Sequence, residues 1–401
     1  MSKSKGWIVT SAATGINLIL GLLYIWSIMS KALINELNWT KTQASLPYTV
    51  SILTFALVMI FAGRVQDTKG PRLSSTFGGI LLGGGLILSA FMRTPLLMTL
   101  TYGLMGGAGI GFCYAATTPP AVKWFPLEKK GFISGIVVSG VGFAAVYISP
   151  LTNMLIEKFG VYNAFFILGI FALVVLIILS QLLVNPSDKY IAKINIKNTN
   201  QNNKPINQKQ YTWKEMLKTF SFYKLWIMYT FSASAGLMLI GHLTVISTQQ
   251  ANWEKGFYLV VLLAIFNTLG RIVGGLVSDK YGPIKTMLTI FSLQAINMFF
   301  FSQYTTIGLL AFGVAFTGLV YGALFSVFPA ITAQNYGTKN LGTNYGFVFT
   351  SWGLAGVTGP LLAGKIFDLT ESYNYSYLVS ALLLIGASLL TFSFKSIREN
   401  N

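Results

Sequence analysis

The chain has 401 residues, 53% of them hydrophobic and 10% charged, and its mean hydropathy is +0.63. A soluble protein of this size carries about 25% charged residues, so the composition excludes that class and indicates a membrane protein. The formal net charge of +17 would suit a nucleic-acid partner, but the placement of the charges along the chain argues against one.

A bilayer crossing needs roughly 20 apolar residues. Such stretches occur twelve times, at about 7–30, 44–63, 74–92, 96–118, 131–155, 162–184, 224–248, 257–277, 285–303, 306–332, 342–366 and 375–394. The expected fold is all-α, with twelve transmembrane helices. Trp7–Met29 is longer than the apolar core of a cleavable signal and has no cleavage site, so this span is expected to stay. With both termini on one side of the membrane, 21 of the 28 Lys and Arg lie on that side. The positive-inside rule puts the termini in the cytoplasm of a bacterial cytoplasmic membrane and explains the basic charge as a topology signal. Cys113, the single cysteine, lies within the fourth span and rules out an internal disulfide.

Gly63-Arg-Val-Gln-Asp67-Thr-Lys-Gly70-Pro71-Arg72 follows the second span. Gly275-Leu-Val-Ser-Asp279-Lys-Tyr-Gly282-Pro283-Ile-Lys285 follows the eighth, with Gly, Asp, Gly and Pro repeated at an offset of 212. Pro150 and Pro360 pair at an offset of 210. The repeat implies two pseudo-symmetric six-helix bundles, at 1–184 and 224–401, in parallel orientation. Between them, 185–223 begins with a stretch rich in Asn, Lys and Gln that cannot bury a core, and reads as a cytoplasmic linker. It ends in a short interfacial helix with Trp213, Met216, Leu217 and Phe220 at helical spacing.

Arg271 is the one Lys, Arg, Asp or Glu well inside a span. A guanidinium keeps its proton, so at that depth it needs a water-filled cavity, a carboxylate or a bound anion, and it marks a functional site. The eleven acidic residues all fall in loops or at helix ends, so no acidic side chain inside a span can carry protons. His242, the only histidine, lies within the seventh span and titrates in the useful range. It reads equally as a coupling site, a substrate donor, or a neutral ring bonded to a backbone carbonyl. The glycine runs at 78–86 and 106–111 lack a strand–turn–helix setting and fit helix packing better than nucleotide binding. No Walker lysine, metal-ligand cluster or hydrolase triad is present, so the chain is not read as an enzyme and no cofactor or metal is expected.

The repeated Gly-x-x-x-Asp-x-x-Gly-Pro motif and the twelve-span plan resemble the major facilitator superfamily. The resemblance implies the corresponding fold and a cytoplasmic latch at each repeat, with Asp67, Arg72, Asp279 and Lys285 as gating residues. A finer resemblance lies in Asn267-Thr-Leu-Gly-Arg271, Gly21-Leu-Leu-Tyr24-Ile-Trp26, Gly111-Phe-Cys-Tyr114 and Asn344-Tyr345-Gly346. These are similar to the oxalate:formate antiporter family and its lactate and pyruvate monocarboxylate relatives. The resemblance implies that Arg271 binds the substrate carboxylate beside Asn267, with Tyr24, Tyr114, Tyr321, Phe325, Phe349 and Trp352 around the cavity. In the oxalate carrier a lysine stands where this chain has Trp352. One fixed cation suits one carboxylate, so the expectation is a secondary carrier of monocarboxylates with proton coupling. Oxalate:formate-type exchange is the alternative, and a non-transporting sensor a third reading. The expected partners are a small organic anion, protons and membrane lipid, for a monomeric protein.

Overall fold

The structure is a computed structural model that describes residues 2–187, 190 and 209–394. Within the described residues the chain is helical, with no strand. In chain order the helices are α1 (Ser2–Leu20), α2 (Trp26–Leu37), α3 (Lys41–Lys69), α4 (Pro71–Ser89), α5 (Pro95–Met98), α6 (Gly107–Ala115), α7 (Thr118–Lys123) and α8 (Lys130–Ser180). They continue with α9 (Trp213–Leu217), α10 (Phe220–Ala251), α11 (Phe257–Tyr281), α12 (Pro283–Phe300), α13 (Ile307–Tyr336), α14 (Leu341–Thr370) and α15 (Asn374–Phe392). Among the described residues nine helical runs are long and apolar enough to cross a membrane. One of them, α8, breaks at Gly160 (φ 80°, ψ 164°) and so holds both the fifth and sixth spans. The first span is interrupted by a 3-10 turn at Gly21–Ile25, and the third, α4, is diluted by glycine and serine.

Local chemistry explains where these helices start and stop. Thr40 caps α3 in a reciprocal box with Gln43, Thr212 does the same for α9 with Glu215, and Thr94, Thr219 and Thr306 cap further starts. α3 and α11 end at Gly70 (φ 92°) and Gly282 (φ 88°), conformations that glycine adopts without strain. Pro71 and Pro283 then open the next helices, where the missing N–H costs nothing. The fourth span is less regular, running from α5 into a π-helical stretch at Thr99–Gly106 before α6.

The structure extends the sequence repeat. Asn38-Trp39 and Asn252-Trp253 both end a helix with a left-handed asparagine. Gly131 and Gly135 at the start of α8 match Gly342 and Gly346 at the start of α14, at an offset of 211. The chain divides into two compact units. Unit 1 comprises Met1–Pro126, Val137–Lys209 and Thr338–Phe347; unit 2 comprises Leu127–Ile136, Gln210–Gly337 and Val348–Asn401. The starts of α8 and α14 thus belong to the unit that holds the other repeat's helices. The core of unit 2 gathers Met298, Phe301, Leu310, Val314, Tyr377 and Leu384. Beside it lies a buried polar knot in which Asn297 donates to Gly313 and Thr317, and Gln294 donates to Thr317. Such bonds hold helices together where no water is available to satisfy polar groups. Residues 191–208 of the expected linker lie outside the described residues.

Candidate functional site

Arg271 is 2% exposed and Asn267 4%, both on α11 and both within unit 2. Their i, i+4 spacing puts them on one helix face, and Arg271 Nε donates to Asn267 Oδ1 at 2.9 Å. The Arg271 guanidinium carbon stands 4.4 Å from the centre of the Phe325 ring, a cation–π contact that solvates the charge without neutralising it. The position follows from close backbone packing. A Cβ at Gly270 would meet the Leu319 carbonyl, and one at Gly322 would meet the Asn267 carbonyl. Glycine at these points lets α11 and α13 approach at the depth of the charge.

The aromatic residues form a connected wall. Phe325 meets Tyr321 edge-on at 5.3 Å and Trp352 at 6.1 Å. Trp352 stacks on Phe349 at 5.0 Å. Trp352 Nε1 donates to the Tyr321 hydroxyl at 2.8 Å, so the Tyr321 oxygen acts as acceptor there. The Tyr321 ring lies on α10 at Gly236, where a Cβ would collide with it. Arg271, Asn267, Tyr321, Phe325, Phe349 and Trp352 are therefore together in unit 2.

Tyr114 is buried in unit 1 and packs edge-on against Phe55 at 5.5 Å. The side chain of Tyr24 lies outside the described residues. His242 bridges α10, α14 and the start of α15: Nε2 is 3.0 Å from the Pro360 carbonyl and Nδ1 is 3.0 Å from the Tyr373 hydroxyl. The carbonyl can only accept, so the proton sits on Nε2, and Nδ1 accepts from Tyr373. Those partners differ from the ones around Arg271.

Asp67 and Asp279, expected to gate, both cap helix starts within their units. Asp67 accepts from the Gly342 N–H at 3.1 Å, the Thr343 N–H at 2.7 Å and the Thr343 hydroxyl at 2.8 Å. Asp279 accepts from the Gly131 N–H at 2.8 Å and the Phe132 N–H at 2.7 Å. A carboxylate at the first turn of a helix meets unsatisfied N–H groups and the positive end of the helix dipole. The motif put both aspartates where they could stabilise helix N-termini or pair with Arg64, Arg72 or Lys285, and helix-start N–H groups are what they hold. Arg72 Nε donates to the Leu183 carbonyl at 3.3 Å, Lys285 is exposed, and Lys123 is a cation within electrostatic range of Asp67. Sequence reading missed the receiving glycines and Thr343. The repeated Gly-x-x-x-Gly at 131–135 and 342–346 was the signal that could have found them.

The Major Facilitator Superfamily model matches residues 8–296 and 246–400. The oxalate:formate antiporter of Oxalobacter formigenes is 26% identical over 381 residues, covering 94% of this chain and 88% of that one. Human monocarboxylate transporter 12 is 26% identical over 356 residues, covering 81% of this chain and 68% of that one. Among solved structures, the proton:xylose symporter XylE superposes with a TM-score of 0.76 at 13% identity, covering 98% of this chain and 96% of that one. At such identity the likeness speaks for the fold alone, that of a multi-pass membrane transporter. The internal repeat, its paired aspartate caps and a family match spanning nearly the whole chain converge: this chain belongs to the Major Facilitator Superfamily.

Proposed function

We propose that the chain is a secondary carrier of small monocarboxylates such as L-lactate, pyruvate or formate, working by alternating access with both termini in the cytoplasm. The observation that carries this reading is Arg271, at 2% exposure the only charged side chain shut away from the surface among the described residues. Its Nε donates to Asn267, and a guanidinium can pair both oxygens of a carboxylate at once. Tyr321 supplies a hydroxyl donor, and Phe325, Phe349 and Trp352 offer ring faces to a small apolar body. A second carboxylate in such a site would lose its hydration without a counter-charge. Trp352 stands where the resemblance to the oxalate carrier would put a lysine, and the monocarboxylate transporter among the relatives points the same way.

Proton coupling is the second half of the proposal. Protonated His242 keeps both partners, since Nε2–H still donates to Pro360 and Nδ1–H donates to the Tyr373 hydroxyl. The geometry around the ring thus tolerates either charge state. Exchange of oxalate against formate is the rival reading, favoured by the relative of that name. A purely sensory role has less support, because the aspartates of both repeats hold helix-start N–H groups.

Purified protein in liposomes decides between these readings. Labelled lactate, pyruvate, formate and oxalate are offered with a pH gradient and, separately, with a trapped counter-anion. Monocarboxylate uptake driven by the gradient is expected. Uptake that needs trapped oxalate or formate would overturn the reading in favour of exchange. Trp352→Lys should raise oxalate binding about tenfold relative to lactate, by adding the missing counter-charge.

A further inference from the structure

The two ring nitrogens of His242 are unequal. Nε2 faces the Pro360 carbonyl at 3.0 Å and carries the proton, so it has no lone pair to offer. Nδ1 is the basic atom of the neutral ring, and the Tyr373 hydroxyl covers it at 3.0 Å. A proton that joins the ring at Nδ1 therefore arrives through the Tyr373 oxygen. Packing holds that oxygen in place. Tyr373 is 6% exposed, and its ring lies 5.2 Å from the imidazole and stacks on Phe367 at 4.7 Å. At Gly241, a Cβ would come 3.3 Å from the Pro360 ring, so α10 and α14 meet closely beside His242.

Tyr373 stands in the short connection between α14 and α15. With both termini in the cytoplasm, that connection lies on the outer face of the membrane. Asp368, exposed near the end of α14, is within electrostatic range of the Tyr373 hydroxyl. Burial raises that hydroxyl above its ordinary value, and the Asp368 charge raises it further. It therefore stays a neutral phenol, which passes a proton on only by taking another up. The remaining charged and titratable groups nearby point to no rival donor. Lys365 of α14, Glu371 of the connection and Tyr375 of α15 are exposed, and Tyr377 of α15 donates to Gln250. On α10 the one other charged residue is Lys224, about five turns away.

We propose that Tyr373 is the relay through which His242 gains its proton, fed from the outer face by Asp368. This rests on the reading of His242 as the coupling site and adds the route and the side of entry. A proton gathered at the Asp368 carboxylate passes to the Tyr373 oxygen as the Tyr373 O–H proton moves to Nδ1. The carboxylate regains its charge, the phenol stays neutral and the ring becomes imidazolium. The Tyr373–Nδ1 hydrogen bond then runs the other way, with Nδ1–H as donor, until the proton leaves. The charge appears at the joint of the two helices that also build the aromatic wall. α10 carries Gly236, against which Tyr321 packs, about 9 Å along the helix from His242. α14 carries both Pro360 and Trp352.

His242 is the only histidine, so the full chain made with isotope-labelled histidine gives one imidazole, and NMR reads its tautomer and proton exchange without any transport. The neutral ring is expected to carry its proton on Nε2. Tyr373→Phe, which keeps both ring contacts, should slow protonation of Nδ1 about 100-fold. Asp368→Asn, at an exposed position, should slow it about threefold. In liposomes Tyr373→Phe should lose gradient-driven lactate uptake and keep exchange of lactate for lactate. A neutral ring protonated on Nδ1, or unslowed exchange in Tyr373→Phe, overturns the relay, and unslowed exchange in Asp368→Asn overturns the outer entry. His242→Gln separates these outcomes from the reading beneath them. Gradient stimulation lost in His242→Gln but kept in Tyr373→Phe refutes the relay and leaves His242 as the coupling site. Stimulation kept in His242→Gln refutes the coupling itself.

Discussion

The helix pair α3 and α6 in unit 1 and the pair α11 and α13 in unit 2 are two versions of one design. A Cβ at Gly107 or Gly111 would meet the carbonyls of Ser51 or Phe55. A Cβ at Gly318 or Gly322 would meet those of Leu263 or Asn267, 212 residues further on. The carbonyl of Met59 lies against Gly346, as that of Arg271 lies against Gly135. Backbone packing is duplicated; chemistry is not. Met59 and Phe55 stand where unit 2 has Arg271 and Asn267, so the charge was placed on a scaffold that packs equally well without it.

The two aspartate caps differ as well. Asp67 receives three hydrogen bonds and has Lys123 in electrostatic range. Asp279 receives two and feels Glu128 instead, and Gln334 takes the repeat position of Lys123. The helix that carries the proposed substrate cation therefore also carries the aspartate with fewer hydrogen bonds. In our reading of the carrier, α11 links the two events: Arg271 and Asp279 are eight residues, about 12 Å, apart on one rigid rod.

Each side of this comparison can be broken separately. The largest effect is expected from Arg271→Gln, which should cut transport about 100-fold by removing the charged fork, whereas Met59→Gln at the mirror position should leave it within about twofold. Equal losses would show that the position matters for packing rather than charge. Asp67→Asn should cost the latch about 2 kcal/mol and Asp279→Asn about 1 kcal/mol, since the first removes the charge from three donors and a nearby cation. Melting temperatures of the purified variants give the order, and a reversed order would refute the ranking. Gln334→Lys should sharpen the symmetry by supplying Asp279 with a cation; a small rise in melting temperature with transport slowed about threefold is the expected outcome. His242→Gln retains hydrogen bonding but not titration. It should leave exchange unchanged and remove the stimulation of uptake by a pH gradient, the difference being read in the same liposomes.

Much of this was legible beforehand, for identifiable physical reasons. Crossing a bilayer demands long apolar runs, so the spans stood out, and a buried guanidinium is costly enough for Arg271 to announce itself. The turns at Gly70-Pro71 and Gly282-Pro283 carried their own stereochemical signature. That Asp67 and Asp279 could hold helix N-termini was legible too, but which helices was not, because the groups held are mainly backbone N–H groups, which every residue but proline possesses. Likewise, nothing in the sequence around His242 tells that Tyr373, 131 residues away, supplies its second hydrogen bond. The break at Gly160 within α8 was visible as a gap between spans, yet the continuity of helix on both sides was not.

The wider turns at Thr99–Gly106 have a meaning that only the comparison of repeats brings out. Thr94 and Thr306 cap the same helix start at an offset of 212, but by Gly107 and Gly318, which touch matching carbonyls, the offset is 211. One additional amino acid thus entered the first copy between these points, within the segment that contains the π-helical stretch. The extra residue was swallowed as a bulge in the coil. Everything downstream, including the glycines that face α3, kept its angular phase.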